Sequence, residues 1–119
     1  MKWILRVLLV ALVFAANGCA QGCDLVLKAG IAVTIVDGAT GNPILGEVTV
    51  TATEGSYSET VTPVQGLALL ASERPGTYRV EVQAAGYQPW VMPSVGVTRD
   101  DCHVETVQLT ALLTSTGAG

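Results

Sequence analysis

The chain has 119 residues, of which 50% are apolar and 13% are charged, and this length fits one domain at most. Residues 1–16 account for much of the positive mean hydropathy of +0.48. The remaining residues include four Lys or Arg and ten Asp or Glu, which gives them a net charge of −6. These figures exclude a multidomain enzyme and a transmembrane bundle. They also argue against a nucleic-acid partner, because phosphates need a basic face.

The first predicted element is a signal peptide over residues 1–18. Lys2 and Arg6 supply positive charge before an unbroken apolar run at residues 7–16, and this layout is typical of an export signal. The alternative is a membrane-spanning helix, which needs about 20 apolar residues to cross the bilayer core. The run ends well short of that length, so the sequence favours export.

The end of the leader has two possible processing sites. Ala16-Asn17-Gly18-Cys19 resembles a bacterial lipobox, whose Cys thiol receives a diacylglycerol, although Ala16 replaces the usual Leu and Asn17 is tolerated rather than favoured. The alternative is cleavage after Ala20, where small residues form an ordinary signal-peptidase site. We favour lipidation of Cys19 because it falls where the apolar run stops. The resemblance implies outer-membrane sorting; the alternative implies a periplasmic or secreted protein.

Cys23 and Cys102 are an even pair whichever site is used, and in an oxidising compartment they are expected to form a disulfide. A metal pair is disfavoured because the chain has one His and no C-x-x-C. The bond requires the starts of the first and last strands to lie within about 6 Å at Cα, at the same end of the domain. First and last strands that are adjacent and parallel would satisfy this.

The rest of the chain consists of short apolar–polar runs separated by turn residues, a pattern that predicts an all-β fold. The run at 57–62 is polar enough for an edge, 88–95 contains two prolines that suit an edge or bulged strand, and 67–70 could also be one helical turn. Strands are predicted at 31–36, 48–53, 57–62, 67–70, 78–83, 88–95 and 104–112.

About seven strands with frequent turns predict a single antiparallel two-sheet sandwich. The predicted organisation is a signal peptide at 1–18, an anchor and short linker at 19–29, the sandwich at 30–113 and a flexible tail at 114–119. The alternating strand at 78–83 should point Tyr78, Val80 and Val82 into the core.

Four short patterns carry a resemblance to the carboxypeptidase regulatory-like domains, which are prealbumin-like β-sandwiches. They are Asp37-x-x-Thr40-Gly41-x-Pro43, Gly46-x-Val48-x-Val50, Gly76-Thr77-Tyr78-x-Val80-x-Val82 and Ala85-Gly86-Tyr87. The resemblance spans most of residues 30–112. It implies a non-catalytic accessory domain, since the family's zinc peptidase is a separate domain. Another sandwich, of immunoglobulin or adhesin type, is the alternative.

Two groups invite a chemical interpretation. His103 is flanked by Asp101 and Glu105, but a Ser-His-Asp site needs a nucleophile and a hydrolytic zinc site needs three protein ligands, so a surface cluster at a strand entrance fits better. Lys28 could form a crosslink to an Asn, but Asn42 lies in a predicted turn and the last strand has no Asn. We therefore expect no enzyme activity, no metal and no cofactor.

Tyr87, Gln88 and Trp90 form the candidate binding patch, since exposed aromatic residues on a sandwich rim commonly hold sugars or peptides. Core or rim packing is the alternative for the two aromatic residues. The strand at 57–62 offers a second route, by pairing with a partner's strand.

Together these features predict a non-catalytic cell-envelope lipoprotein whose sandwich serves as a binding or structural module. Its expected partners are the membrane, through the lipid on Cys19, and an envelope protein or glycan. The alternative is a soluble periplasmic or secreted domain that regulates or stabilises an enzyme.

Overall fold

A computed structural model describes residues 23–117; the predicted signal peptide and Cys19 lie outside this range. The described residues form seven strands and no helix, and therefore contain no helix long and apolar enough to cross a membrane. One sheet has the order β4-β1-β7 and the other β3-β2-β5-β6. The strands are β1 (Ile31–Asp37), β2 (Val48–Glu54), β3 (Tyr57–Val61), β4 (Leu67–Leu70), β5 (Gly76–Ala84), β6 (Trp90–Val97) and β7 (Val107–Leu113).

The all-β sandwich and its seven strands are confirmed, including the ambiguous run at 67–70. Two strands begin later than predicted. β6 begins at Trp90 instead of residue 88, because the N–H of Gln88 donates to the carbonyl of Thr114 and Pro89 has none to donate. β7 begins at Val107 instead of residue 104, because Val104 forms a bridge with Arg99 and the N–H of Glu105 donates to the Thr98 carbonyl, so this part of the chain pairs with the segment after β6.

The first and last strands are adjacent and parallel, as the cysteine geometry requires. Ile31 pairs with Val107 and Asp37 with Leu113, so both strands start at the same end of the sandwich. The Cys23–Cys102 disulfide forms at that end, with the two Cα atoms 5.2 Å apart.

Alternate residues of both sheets meet in one core. Tyr78, Val80 and Val82 point inward from β5, as predicted, and belong to the same buried cluster as Val33 and Ile35 of β1. Each large apolar side chain removed from water contributes roughly 1.5–3 kcal/mol, so this double layer supplies the main driving force for folding. This core lies between the two sheets, so the loops at both ends of the sandwich are available to form sites.

The two ends of the sandwich differ in content. The cystine end comprises residues 23–30, 54–56, 71–76 and 98–106; the opposite end comprises 38–47, 62–66, 85–89 and 114–117. Gly30 lies where the two sheets come close together at the cystine end. A Cβ placed on it would lie 2.6 Å from the Ala71 carbonyl oxygen and 2.9 Å from Cγ1 of Val97. The position therefore requires glycine, because any side chain would push the sheets apart.

Residues 114–116, which the sequence predicts to be part of a flexible tail, are paired with the turn between β5 and β6 at the opposite end. The N–H of Thr116 donates to the Gly86 carbonyl at 3.0 Å, and Tyr87 and Ser115 form an antiparallel bridge. Residues 114–116 are thus fixed beside the candidate binding patch.

Candidate functional site

The cystine end carries a cluster of ionisable side chains around the single histidine. Nδ1 of His103 lies 2.5 Å from Oε2 of Glu73, and its Nε2 lies 2.7 Å from Oδ1 of Asp24. The side chain of His103 is only 15% exposed. The imidazole therefore joins the segment after Cys23 to the turn after β4.

Glu73 is the hub of this cluster. Its Oε2 also accepts the N–H of Lys28 at 3.0 Å, its Oε1 accepts the N–H of Val104 at 3.2 Å, and its own N–H donates to the Lys28 carbonyl. Glu73 adopts a positive φ of 51°, a left-handed conformation that costs about 1 kcal/mol or more for a residue with a side chain. The hydrogen bonds hold it in that conformation.

The cluster perturbs the protonation of its members in opposite directions. The hydrogen bond to Glu73, followed by the bond to Asp24, raises the pKa of His103 above its ordinary value of 6.5. The hydrogen bond to His103, followed by the backbone N–H of Lys28, lowers the pKa of Glu73 below its ordinary value of 4.5. The native state therefore favours an imidazolium between carboxylates.

This cluster should make the stability of the protein depend on pH. The contribution of Glu73 is fully present above pH 4.5 and that of His103 below pH 6.5, so both act between these values. We expect the stabilisation from His103 to disappear as the pH rises through its raised folded-state pKa. Melting temperatures of the wild type and of His103→Gln, measured across this range and into alkaline pH, should converge as the pH rises.

The matched variant is Glu73→Gln, which keeps the size of the side chain but removes its charge. It should also flatten the pH dependence that is due to His103, because the imidazolium loses its stronger partner. A difference in melting temperature between wild type and His103→Gln that stays constant from acidic to alkaline pH would contradict this assignment.

The geometry of His103 supports the interpretation as a surface cluster. Both ring nitrogens are engaged by carboxylates, so neither is positioned to accept a proton from a Ser or Thr hydroxyl, as a nucleophilic triad requires. Within residues 23–117, no group of three or more His, Cys, Asp or Glu side chains has the arrangement needed to hold a metal ion.

The opposite end brings together two of the patterns noted in the sequence. Oδ1 of Asp37 accepts the N–H groups of Ala39 and Thr40, which closes the turn after β1. Its Oδ2 accepts the hydroxyl of Tyr87 at 2.7 Å. The Tyr87 bond is the main cause of a lowered pKa at Asp37, followed by the backbone N–H of Thr40. The turn after β1 is thus joined to the turn after β5.

The three residues of the candidate binding patch lie together at this end but differ in exposure. Tyr87 and Trp90 are half-buried and pack against the core, whereas Gln88 is exposed. Tyr87 and Pro89 also line a shallow open depression with residues of β2 and β5. The aromatic residues therefore have a packing role, and Gln88 and the depression provide the accessible surface.

Two other candidates from the sequence lack the geometry that their proposed roles need. Lys28 lies at the cystine end and Asn42 at the opposite end, separated by β1, which is about 20 Å long. β3 is an edge strand as predicted, but its Glu59 carboxylate accepts the N–H of Ala71 and the hydroxyl of Tyr57. An inward-turned charge of this kind protects an edge from pairing with another strand.

A second set of contacts at the cystine end was not anticipated from the sequence. Arg74 stacks on the Tyr57 ring, with the guanidinium carbon 3.7 Å from the ring centroid, and donates to Glu54 at 2.7 Å. Glu73 and Arg74 belong to Glu73-Arg74-Pro75-Gly76, whose Pro and Gly are typical turn residues, but a turn signal does not indicate which side chains its residues will contact. The only feature of Asp24 in the sequence is its position next to Cys23, which does not indicate a contact with His103.

The fold and these two ends define a disulfide-linked prealbumin-like β-sandwich module of a kind that fits an extracytoplasmic protein. The family model of the carboxypeptidase regulatory-like domain matches residues 30–110. The chain therefore belongs to the carboxypeptidase regulatory-like domain family, a non-catalytic type of module, and the predicted resemblance is confirmed. A search of curated proteins found no match to the chain.

Proposed function

We propose that this protein is a non-catalytic lipoprotein of the bacterial cell envelope, anchored through Cys19, whose sandwich is a binding or structural module. The observation that carries the proposal is the family match over residues 30–110, preceded by a leader that ends in a lipobox-like Cys19. The family supports the module, and the leader supports export and lipid attachment.

The positions of the two ends of the sandwich support this proposal. Cys23 opens the described chain at the cystine end, four positions after Cys19, so an anchor would hold that end next to the membrane. The opposite end, with Gln88 and the depression beside Tyr87, would then face away from the lipid. An envelope protein or glycan would be bound there.

A soluble periplasmic or secreted accessory domain is the second candidate function. The small residues Gly18 and Ala20 favour it, because they fit ordinary signal-peptide cleavage after Ala20. In that case the sandwich would regulate or stabilise an enzyme partner without being tied to a membrane.

The intact, non-reduced mass of the protein from its native membrane fraction tests the two candidates. We expect a chain that begins at Cys19, carries added acyl chains and is two hydrogens lighter than the dithiol form because of the Cys23–Cys102 bond. The matched control is Cys19→Ser, which should leave the protein without lipid and outside the membrane fraction. A mass that begins at Gln21 without lipid would contradict the anchor and support the soluble accessory domain.

The same membranes allow a test of the binding end. A photoreactive residue placed at Gln88 should crosslink to one defined envelope component, whereas the same residue at the exposed Gln108 of β7 should not. Equal crosslinking from both positions would argue against a discrete contact at the opposite end.

A further inference from the structure

Three consecutive apolar side chains are exposed at the cystine end. Leu25 is 97% exposed, Val26 64% and Leu27 74%. Single exposed apolar residues are ordinary on protein surfaces, but a continuous group of large ones marks an interaction surface. None of the three belongs to the core of the sandwich.

These side chains project from a segment that is fixed to the sandwich at both of its ends. At its start, Cys23 is bonded to Cys102 and Asp24 contacts His103. At its end, the backbone of Lys28 exchanges two hydrogen bonds with Glu73. We call residues 24–28 the apolar loop. Because both ends of the loop are fixed, its three apolar side chains are held at the surface.

The length of the chain between the loop and Cys19 restricts what can cover it. Three residues separate Cys19 from Cys23, and a trans chain spans at most about 3.6 Å per residue, so the two Cα atoms lie within about 14 Å of each other. A lipid on Cys19 would place that residue at the membrane surface, and the apolar loop begins one residue after Cys23.

We propose that the apolar loop inserts Leu25, Val26 and Leu27 into the boundary between headgroups and acyl chains of the membrane that holds Cys19. This inference rests on the proposed lipidation of Cys19. The lipid and the loop are then two points of contact, and together they orient the sandwich with the cystine end on the membrane and Gln88 outward. A lipid on a flexible linker would leave that orientation free.

The charges around the loop favour a contact with zwitterionic lipid. The imidazole of His103 can offset only one of its two carboxylate partners, Asp24 and Glu73. Asp100 and Asp101 are also exposed at this end, so anionic lipid would not attract the cystine end. The loop itself offers one cation, Lys28, which is too little for binding that depends on anionic lipid. Contact through the three apolar side chains should therefore occur on phosphatidylcholine.

The test uses tryptophan fluorescence of the mature protein reconstituted in phosphatidylcholine vesicles, with and without bromine on the acyl chains. The mature chain contains a single tryptophan, Trp90 at the opposite end, because Trp3 is removed with the leader. Val26→Trp adds a fluorophore to the apolar loop, and Leu45→Trp adds one to an exposed site at the opposite end. Both sites are exposed, so both variants should fold.

We expect brominated lipid to quench the emission added by Val26→Trp and to leave wild type and Leu45→Trp unchanged. The intact mass of each preparation separates the two proposals. An acylated protein with no quenching at position 26 would overturn the docking of the loop and retain the anchor. A protein without lipid that is quenched at position 26 when vesicles are added would support the loop and overturn the anchor. Loss of both signals would overturn both.

Discussion

Replacement of both Cys23 and Cys102 by serine should lower the free energy of unfolding by up to about 4.5 kcal/mol. The bond joins residues 79 positions apart, and the entropy of closing a loop of this length in the unfolded chain gives that figure in the chain-entropy model. Small domains are stable by only about 5–15 kcal/mol, so the loss removes a large share of the total. Urea unfolding of the purified protein measures it.

Two comparisons isolate the bond. Reduction of the wild type should reproduce the loss seen in the serine variant, because both remove the same constraint. Thr110→Ser, on the exposed face of β7, should change stability by no more than about 0.5 kcal/mol. A serine variant as stable as Thr110→Ser would mean that the other contacts at the cystine end, chiefly those of Glu73, hold the two segments together without the disulfide.

The strands could be predicted from the sequence because the determinants of a strand are local. In β5, the alternation of Tyr78, Val80 and Val82 with polar residues sets both the strand and the face that is buried. The cysteines then supplied long-range information, since a bond between residues near the first and last strands requires those strands to start at one end. The parallel pairing of β1 and β7 follows from that requirement.

The contacts within the two sites could not be predicted because they join residues that are distant in sequence. His103 meets Glu73 across 30 residues and Asp24 across 79, and Tyr87 meets Asp37 across 50. No periodicity connects such positions. The left-handed backbone at Ala71 and Glu73 also has no signal in the sequence, because glycine is the residue that usually indicates it. Tertiary contacts impose it here.

Tyr78→Ala should cost about 3–5 kcal/mol of stability, the range measured for removal of a large buried aromatic side chain. Tyr78 is fully buried, and its ring meets the Tyr57 ring edge-on at a centroid distance of 6.1 Å. Its hydroxyl donates to the Arg74 carbonyl at 2.7 Å and accepts from Nη1 of Arg74 at 2.8 Å. The substitution therefore leaves a cavity between the sheets and frees the turn before β5.

Two further variants separate these effects in the same urea titration. Tyr78→Phe keeps the ring and should cost only about 1–3 kcal/mol, because the Arg74 groups lose their partner while the packing remains. Arg79→Ala, on the exposed face of the same strand, removes only a surface ion pair with Glu81 and should cost about 1 kcal/mol or less. If Tyr78→Ala were no more destabilising than Arg79→Ala, the tyrosine would not be the main packing contact at this end. If Tyr78→Phe matched Tyr78→Ala, the hydroxyl network would outweigh the ring, and Arg74 would be the residue that fixes the turn.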